Sequence, residues 1–442
     1  GYLETLQDGA TVSIMDNATT NYVALHHIGQ ITYLYGAGMK DSSFFSHPLG
    51  KIITGSRYGN LTVISTPSDY PLLTSQLLES DNGVALRHPT IDPHPVAYPN
   101  PKGILLNLLV GGEGGLYFYK LIDTIDLTSY TAPTYALQKN ATLYAGSLPV
   151  TNVVDWDGDG AKDIVAGNSE GLVYFFKNIG SNGDPAFANG EKIEADGEAI
   201  HIQSGYDGSI QGPGEARWGY VCPTVTDWNN DGLLDIVLSS STADNLVYLN
   251  EGTKTEAKLD LGRPLYCEGL NLHGTWRNQP GILGNEFITL DEDDLFHRYT
   301  SLDPYNVRDE GVLLLEDGTP INSNFLEAGG TGRLKIILND WDSDGINDLI
   351  VGTPRHASVP NETEGLPQSL GLPGSSVLFL KGLKNGRYAF PRLFTHKGVP
   401  IFLGQHACGP AVADFGGEDG VDLIVGHESG RFYYFAREHL GL

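Results

Sequence analysis

The chain has 442 residues, with 54 acidic against 27 basic side chains and a formal net charge of −27. A field of that sign repels nucleic-acid phosphates and anionic bilayers at long range, so an anionic ligand needs a local cluster of cations to hold it. Gly 56, Pro 24 and 10% aromatics suit many short strands and turns, and no apolar run is long enough to cross a bilayer.

In chain order, the first strand signal is Gln30-Ile-Thr-Tyr-Leu-Tyr35, ahead of Gly50-Lys-Ile-Ile-Thr-Gly55. Thr90-Ile-Asp92 then precedes Leu108-Leu-Val-Gly111. Three later segments share one pattern: Val153-Val-Asp155-Trp-Asp157-Gly-Asp159-Gly-Ala-Lys-Asp163, Val225-Thr-Asp227-Trp-Asn229-Asn-Asp231-Gly-Leu-Leu-Asp235 and Leu338-Asn-Asp340-Trp-Asp342-Ser-Asp344-Gly-Ile-Asn-Asp348. Each is an apolar strand, an acidic loop and a second apolar strand. Between them, Ile288-Thr-Leu-Asp291-Glu-Asp293 reads as a degenerate copy, and Val412-Ala-Asp414 through Asp422 as a fourth fuller one. Tyr35, Asp92, Asp155, Asp227, Asp291, Asp340 and Asp414 thus mark seven units. A constant core unit with variable insertions predicts an all-β fold, a seven-bladed β-propeller of four-stranded antiparallel blades, as a single domain over 1–442.

These repeats resemble the FG-GAP/VCBS family of propellers. In each full loop, acids at the first, third, fifth and ninth positions converge as hard oxygen ligands would, so calcium is the expected cofactor. The candidate ligands are Asp155, Asp157, Asp159 and Asp163; Asp227, Asn229, Asp231 and Asp235; and Asp340, Asp342, Asp344 and Asp348. No glutamate follows at position twelve, so these are not EF-hands. The competing reading is that the carboxylates cap the turn through backbone N–H groups, without metal. Either way the role is structural.

An acidic loop follows the inner strand of its blade, so residues just before each inner strand gather on the opposite face. Those are His26, His27, Arg87, His88, Arg217, Trp218, Tyr220, Trp276, Arg277, Arg333 and His406; Arg57, Arg355 and His427 join them from second-strand turns. In an acidic protein this is the cationic cluster that the charge demands. Each residue has a plainer alternative, as a packed histidine, a blade-packing tryptophan or a solvated arginine.

Aromatic faces suit pyranose rings, and an arginine fork matches a uronate carboxylate. β-Elimination needs that carboxylate neutralised, a base for the C5 proton and an acid for the leaving oxygen. Arg217 is assigned to the carboxylate, with His88 and Tyr220 sharing the base and acid roles. His26, His27, Arg57, Trp218, Trp276, Arg277, Arg333, Arg355 and His406 are assigned to substrate binding. A glycosidase would need two acids on this face, where Glu215 and Glu428 are the candidates.

The repeats with this mouth resemble propeller polysaccharide lyases: ulvan lyases, and more closely the L-rhamnose–α-1,4-D-glucuronate lyases of fungi. The resemblance implies an acidic partner glycan containing rhamnose and glucuronate, a calcium ion, and an essential arginine carried onto Arg217. α-L-Rhamnosidase and sugar-binding lectin activities are the alternatives. Four sequons, at Asn17, Asn60, Asn140 and Asn361, predict a secreted glycoprotein. The lack of a charged-then-apolar leader at Gly1 predicts a processed form. Cys222, Cys267 and Cys408 have no metal-ligand spacing, and their odd number leaves at least one free thiol.

Overall fold

The computed structural model describes residues 22–25, 30–33, 44–46, 52–55, 59–65, 74–89, 93–111, 116–122, 127–135 and 143–442, the last without 211, 213–214, 327–331, 358–371, 405, 407 and 416–419. The chain divides into two compact units, 1–141 and 142–442. Both are built from antiparallel meanders, as runs of β-branched and aromatic residues cut by glycine turns dictate.

The first unit holds two four-stranded sheets. Sheet one is Phe44–Ser46, Ile52–Gly55, Leu61–Ser65 and Thr74–Leu77; sheet two is His94–Pro99, Leu105–Gly111, Leu116–Tyr119 and Thr134–Tyr135. They share a core of Ile53, Leu61, Val63, Leu108, Val110 and Tyr119. Two sequence expectations are corrected here. The partner of Ile52–Gly55 is Phe44–Ser46, while Gln30–Tyr33 pairs with Tyr22–Leu25 instead. Similarly, the strand paired with Leu105–Gly111 is His94–Pro99; Tyr35 and Asp92 themselves lie outside the described residues.

The second unit holds five meanders. Sheet three is Val150–Val154, Asp163–Gly167, Val173–Phe176 and Glu191–Lys192; sheet four is Cys222–Thr226, Asp235–Ser239, Asn245–Tyr248 and Arg263–Pro264. Sheet five runs Gly281–Leu283, Glu286–Leu290, Phe296–Asp303 and Asn306–Val312, extended by the hairpin of Tyr266–Cys267 and Leu270–Asn271. Sheet six is Lys335–Asn339, Asp348–Gly352, Val377–Leu380 and Arg392–Leu393; sheet seven is Cys408–Ala413, Asp422–His427 and Phe432–Phe435. In sheet five the first strand is Gly281–Leu283, so the Asp291 loop joins its second and third strands. That corrects the expected equivalence of Asp291 with Asp155, Asp227 and Asp340.

The second strands of sheets three, four and six are buried along their whole length. Alternate residues serve opposite neighbours, as the two-residue strand period requires. Ile236 and Leu238 pack toward sheet three, while Val237 packs toward Phe287 of sheet five. Sheets five and six meet through Ile288, Leu290, Ile336 and Val351, and sheets six and seven through Ile350, Phe379, Leu423 and Val425. Sheet seven returns to sheet three, where Ile424 and Phe432 pack with Val153 and Phe432 also meets Ile164 and Phe176. The first strands touch their neighbours in the same cyclic order. Within this unit the five sheets follow one another around a cycle, and the nearly all-β build agrees with the expected fold class.

The tryptophan of each acidic loop is a wedge in these seams. Trp156 is buried between sheets three and four, Trp228 between four and five, and Trp341 between six and seven.

Candidate functional site

Just before each first strand of the second unit, a short lead-in segment rests on the turn of the preceding sheet. The N–H groups of Gly219 and Tyr220 both donate to the Ser169 carbonyl, at 3.0 and 3.1 Å, and that of Arg277 donates to Ser240 at 3.0 Å. This forces a left-handed backbone at Leu148 (φ 56°), Tyr220 (46°), Arg277 (58°) and Arg333 (65°). None is glycine, and each such conformer costs about 1–2 kcal/mol. Leu148, Tyr220 and Arg333 occupy the same place relative to Asp155, Asp227 and Asp340, so the strain is part of the repeat. Gly219 permits the closest approach, since a Cβ there would lie 2.1 Å from the Ile202 carbonyl oxygen.

These segments converge on one pocket, lined by Leu148, Val150, Tyr220, Val221, Cys222, Arg277, Arg333, Lys335 and His406. All five sheets of the unit contribute. Its free space is about 20 Å³, room for about one water. Side chains fill the rest in a stacked pile. The Arg277 guanidinium lies over the Tyr220 ring and 4.5 Å from the Trp276 ring centre, and Arg333 stacks 4.7 Å from the same indole. Arg277 also pairs with Glu215 at 3.2 Å. Burial pulls its pKa down, while Tyr220 and Glu215 oppose that shift. Lys335 is buried and donates to the carbonyls of Arg277 and Arg333 at 2.6 and 2.7 Å. Glu428 accepts the His406 N–H at 2.7 Å, with the imidazole Nδ1 3.7 Å away. Three cations, a phenol, an imidazole and two carboxylates are therefore gathered in one place.

Sequence reasoning placed Tyr220, Arg277, Arg333 and His406 here, and the structure brings all four together. It missed Lys335, which sits at the register of Val150 and Cys222 within an apolar strand. A lysine at an otherwise buried first-strand position was the signal available. Arg217 is exposed on the turn that carries Glu215 and does not line the pocket; the arginines that do are Arg277 and Arg333. Trp218 and Trp276 are 1% and 8% exposed. Their burial is inconsistent with an open sugar platform, and guanidinium groups already stack on Trp276. Arg355 is exposed on the turn after the second strand of sheet six. His26, His27 and Arg57 lie outside the described residues.

His88 belongs to the first unit. It is fully buried, its Nδ1 2.8 Å from the Tyr119 hydroxyl and its ring edge-on to Tyr117. Burial, helped by His94, lowers its pKa to about 3, so the ring is neutral. With no solvent access it has the character of a packed core histidine. All three cysteines are free thiols, and burial pushes those of Cys222 and Cys408 up, the latter to about 12.

The acidic loops cap their own turns. Asp155 accepts from Gly160, Asp227 from Asp231 and Gly232, and Asp340 from Asp344 and Gly345, all near 3 Å. The ninth-position acid is a buried bracket. Asp163 accepts from Trp156 and Asn178, Asp235 from Trp228 and Asn250, and Asp348 from Trp341 and Gly382, at 2.7–3.0 Å. Burial raises the pKa of all three, to about 6 for Asp235. Among the described residues, two sets of carboxylates are close enough to share a cation: Asp155, Asp157 and Asp159, and Asp340, Asp342 and Asp348, each with oxygens within 4.8 Å of one another. Calcium is compatible with that clustering. The fit is poor in another respect, because a lysine ammonium already bridges acids of each loop: Lys177 to Asp157 and Asp159, and Lys381 to Asp342 and Asp344.

No family model matches the chain, and no curated protein matches it. Among solved structures, it is similar to BBS1N in complex with ARL6DN, in a lead soak (TM-score 0.29) and a mercury soak (0.28), each at 10% identity over 88% of both chains. It is also similar to a provisionally assigned glycosidase from Bacteroides thetaiotaomicron, at 10% identity, 67% of this chain, 88% of that one and a TM-score of 0.35. At these values the likenesses establish neither a common fold nor a common activity.

Proposed function

We propose that the chain is a secreted carbohydrate-active enzyme of propeller-like build that cleaves a rhamnose–glucuronate linkage of an acidic glycan by β-elimination. The observation that carries this reading is the pocket of the second unit. A protein of net charge −27 gathers Arg277, Arg333 and Lys335 there, on strained backbone, beside a tyrosine and a histidine. Strain and buried like charges are costs that a merely structural turn would avoid.

In this reading the uronate sits at the mouth of the pocket, its carboxylate facing Arg277 and Arg333, with the exposed Arg217 as an outer contact. Neutralising the carboxylate acidifies the C5–H bond. Tyr220 and His406 are assigned the two proton transfers, since Lys335 is committed to the carbonyls of Arg277 and Arg333. One takes the C5 proton; the C–H electron pair becomes the C4–C5 double bond; the C4–O bond breaks and the leaving oxygen is protonated. The products are a rhamnose and an unsaturated uronate. The narrow free space requires the Arg277 stack to shift when sugar binds. Calcium has no part in these steps.

Glu215 and Glu428 support a second reading, a glycosidase, because both carboxylates reach pocket residues. Ultraviolet absorbance during incubation with gum arabic or ulvan separates the two. Rising absorbance, reduced by about 10²–10⁴ in Tyr220→Phe or His406→Ala, is the lyase outcome. Free rhamnose without absorbance, lost in Glu215→Gln, is the hydrolase outcome. No product from either glycan, with retained binding, would leave a lectin. For secretion, a mass loss on treatment with an N-glycanase is expected. Asn60 is half-buried at a bridge to Arg87, and the other three sequons lie outside the described residues.

A further inference from the structure

Calcium is the ion such loops suggest, yet each of the two carboxylate clusters already receives a cation from its own chain. Lys177 follows the third strand of sheet three at once, and its ammonium bonds Asp157 and, at 2.6 Å, Asp159. Lys381 follows the third strand of sheet six at once and bonds Asp342 and, at 2.8 Å, Asp344. Two blades thus build the same bridge independently.

The loop of sheet four supplies the control. Its third position is Asn229 instead of aspartate, and the residue directly after its third strand is Leu249 instead of lysine. There the Asn229 amide donates to Asp231 at 2.8 Å, doing with a neutral group what the ammonium does elsewhere. One acid fewer goes with one lysine fewer, so the loop acids together with the residue after the third strand carry the same net charge in all three loops.

We propose that Lys177 and Lys381 take the place of a divalent cation in these two loops, making the second unit independent of calcium. An ammonium tethered one residue past the adjacent strand has a high effective concentration and loses little on docking. Calcium has less to offer. It seeks six to eight oxygens, while Asp155, Asp340 and the bracket acids Asp163 and Asp348 already accept backbone N–H groups.

Calorimetric titration with calcium chloride and thermal unfolding of the full chain, in chelator and in calcium, test this. For the wild-type protein no calcium binding and no change in Tm between the two conditions are expected. In the Lys177→Met/Lys381→Met double variant, Tm in chelator falls by a few degrees, calcium restores it, and two ions bind. Binding of calcium by the wild-type protein, with a Tm that drops in chelator, overturns the proposal. So does a double variant that stays indifferent to calcium, for the lysines would then hold no cation position. If the double variant does not fold, the wild-type titration still decides, and each single variant reads its own loop. The readout is ion binding and stability, so it stands apart from any failure to find lyase activity.

Discussion

At the scale of single residues, the chain places unusual chemistry where backbone freedom is smallest. Gly219 is the case with the clearest consequence. It lies between buried Trp218 and left-handed Tyr220, against the Ile202 carbonyl. Gly219→Ala drives a methyl into that backbone oxygen and is expected to cost at least about 2 kcal/mol, read as a lowered midpoint in urea. Because the Tyr220 N–H is anchored through the same segment, the pocket side chains shift with it.

His88 gives a second prediction at this scale. Its folded pKa, near 3, lies far below the ordinary 6.5 because burial disfavours the cation. The unfolded chain therefore binds a proton that the folded one refuses. Stability from this residue is complete above pH 6.5 and declines as pH falls from 6.5 toward 3. Protection factors of the Leu108 and Tyr119 amides, corrected for the pH dependence of intrinsic exchange, should fall over that window, and His88→Leu should flatten the change. A profile unaltered by the substitution would show that His88 does not carry it.

At the scale of elements, the acidic loop is a device for joining strands. The bracket acid ties the start of its loop to the residue after the third strand, and the tryptophan beside it closes the seam to the next sheet. Asp163→Ala leaves two buried N–H groups without their acceptor, at about 1–3 kcal/mol each. The predicted loss is several degrees in Tm, with or without calcium. Asp159→Ala, on an exposed ion pair, should cost under about 1 kcal/mol. Equal effects from the two would sink the distinction between bracket and cap.

At the scale of the molecule, the second unit closes its ring with its own five sheets, sheet seven against sheet three through Ile164, Phe176, Ile424 and Phe432. Residues 142–442 expressed alone are therefore expected to unfold cooperatively, with native-like near-ultraviolet circular dichroism. A molten fragment would contradict closure within the unit. No helix among the described residues is long and apolar enough to cross a membrane.

What the sequence determined by itself was the local grammar. A two-residue apolar period and Asp-Trp-Asx turns repeat visibly in sheets three, four and six, because each strand–loop–strand unit is encoded within one contiguous stretch, as from Val150 to Gly167. The same locality put Tyr220, Arg277, Arg333 and His406 on one face, since each immediately precedes a first strand. Where the signature weakens, register was lost. Asp291 looked like a loop acid of the same register, but Gly281–Leu283 is the first strand of its sheet and turns at Gly284-Asn285, and the strand paired with Leu105–Gly111 is likewise His94–Pro99. The cyclic contact of the five sheets, the presence of Arg277 and Arg333 in the pocket with Arg217 outside it, and the lysine bridges were decided only by tertiary structure. Each depends on which surfaces meet across sheets, and pairing at a distance leaves no trace in the order of residues along one strand.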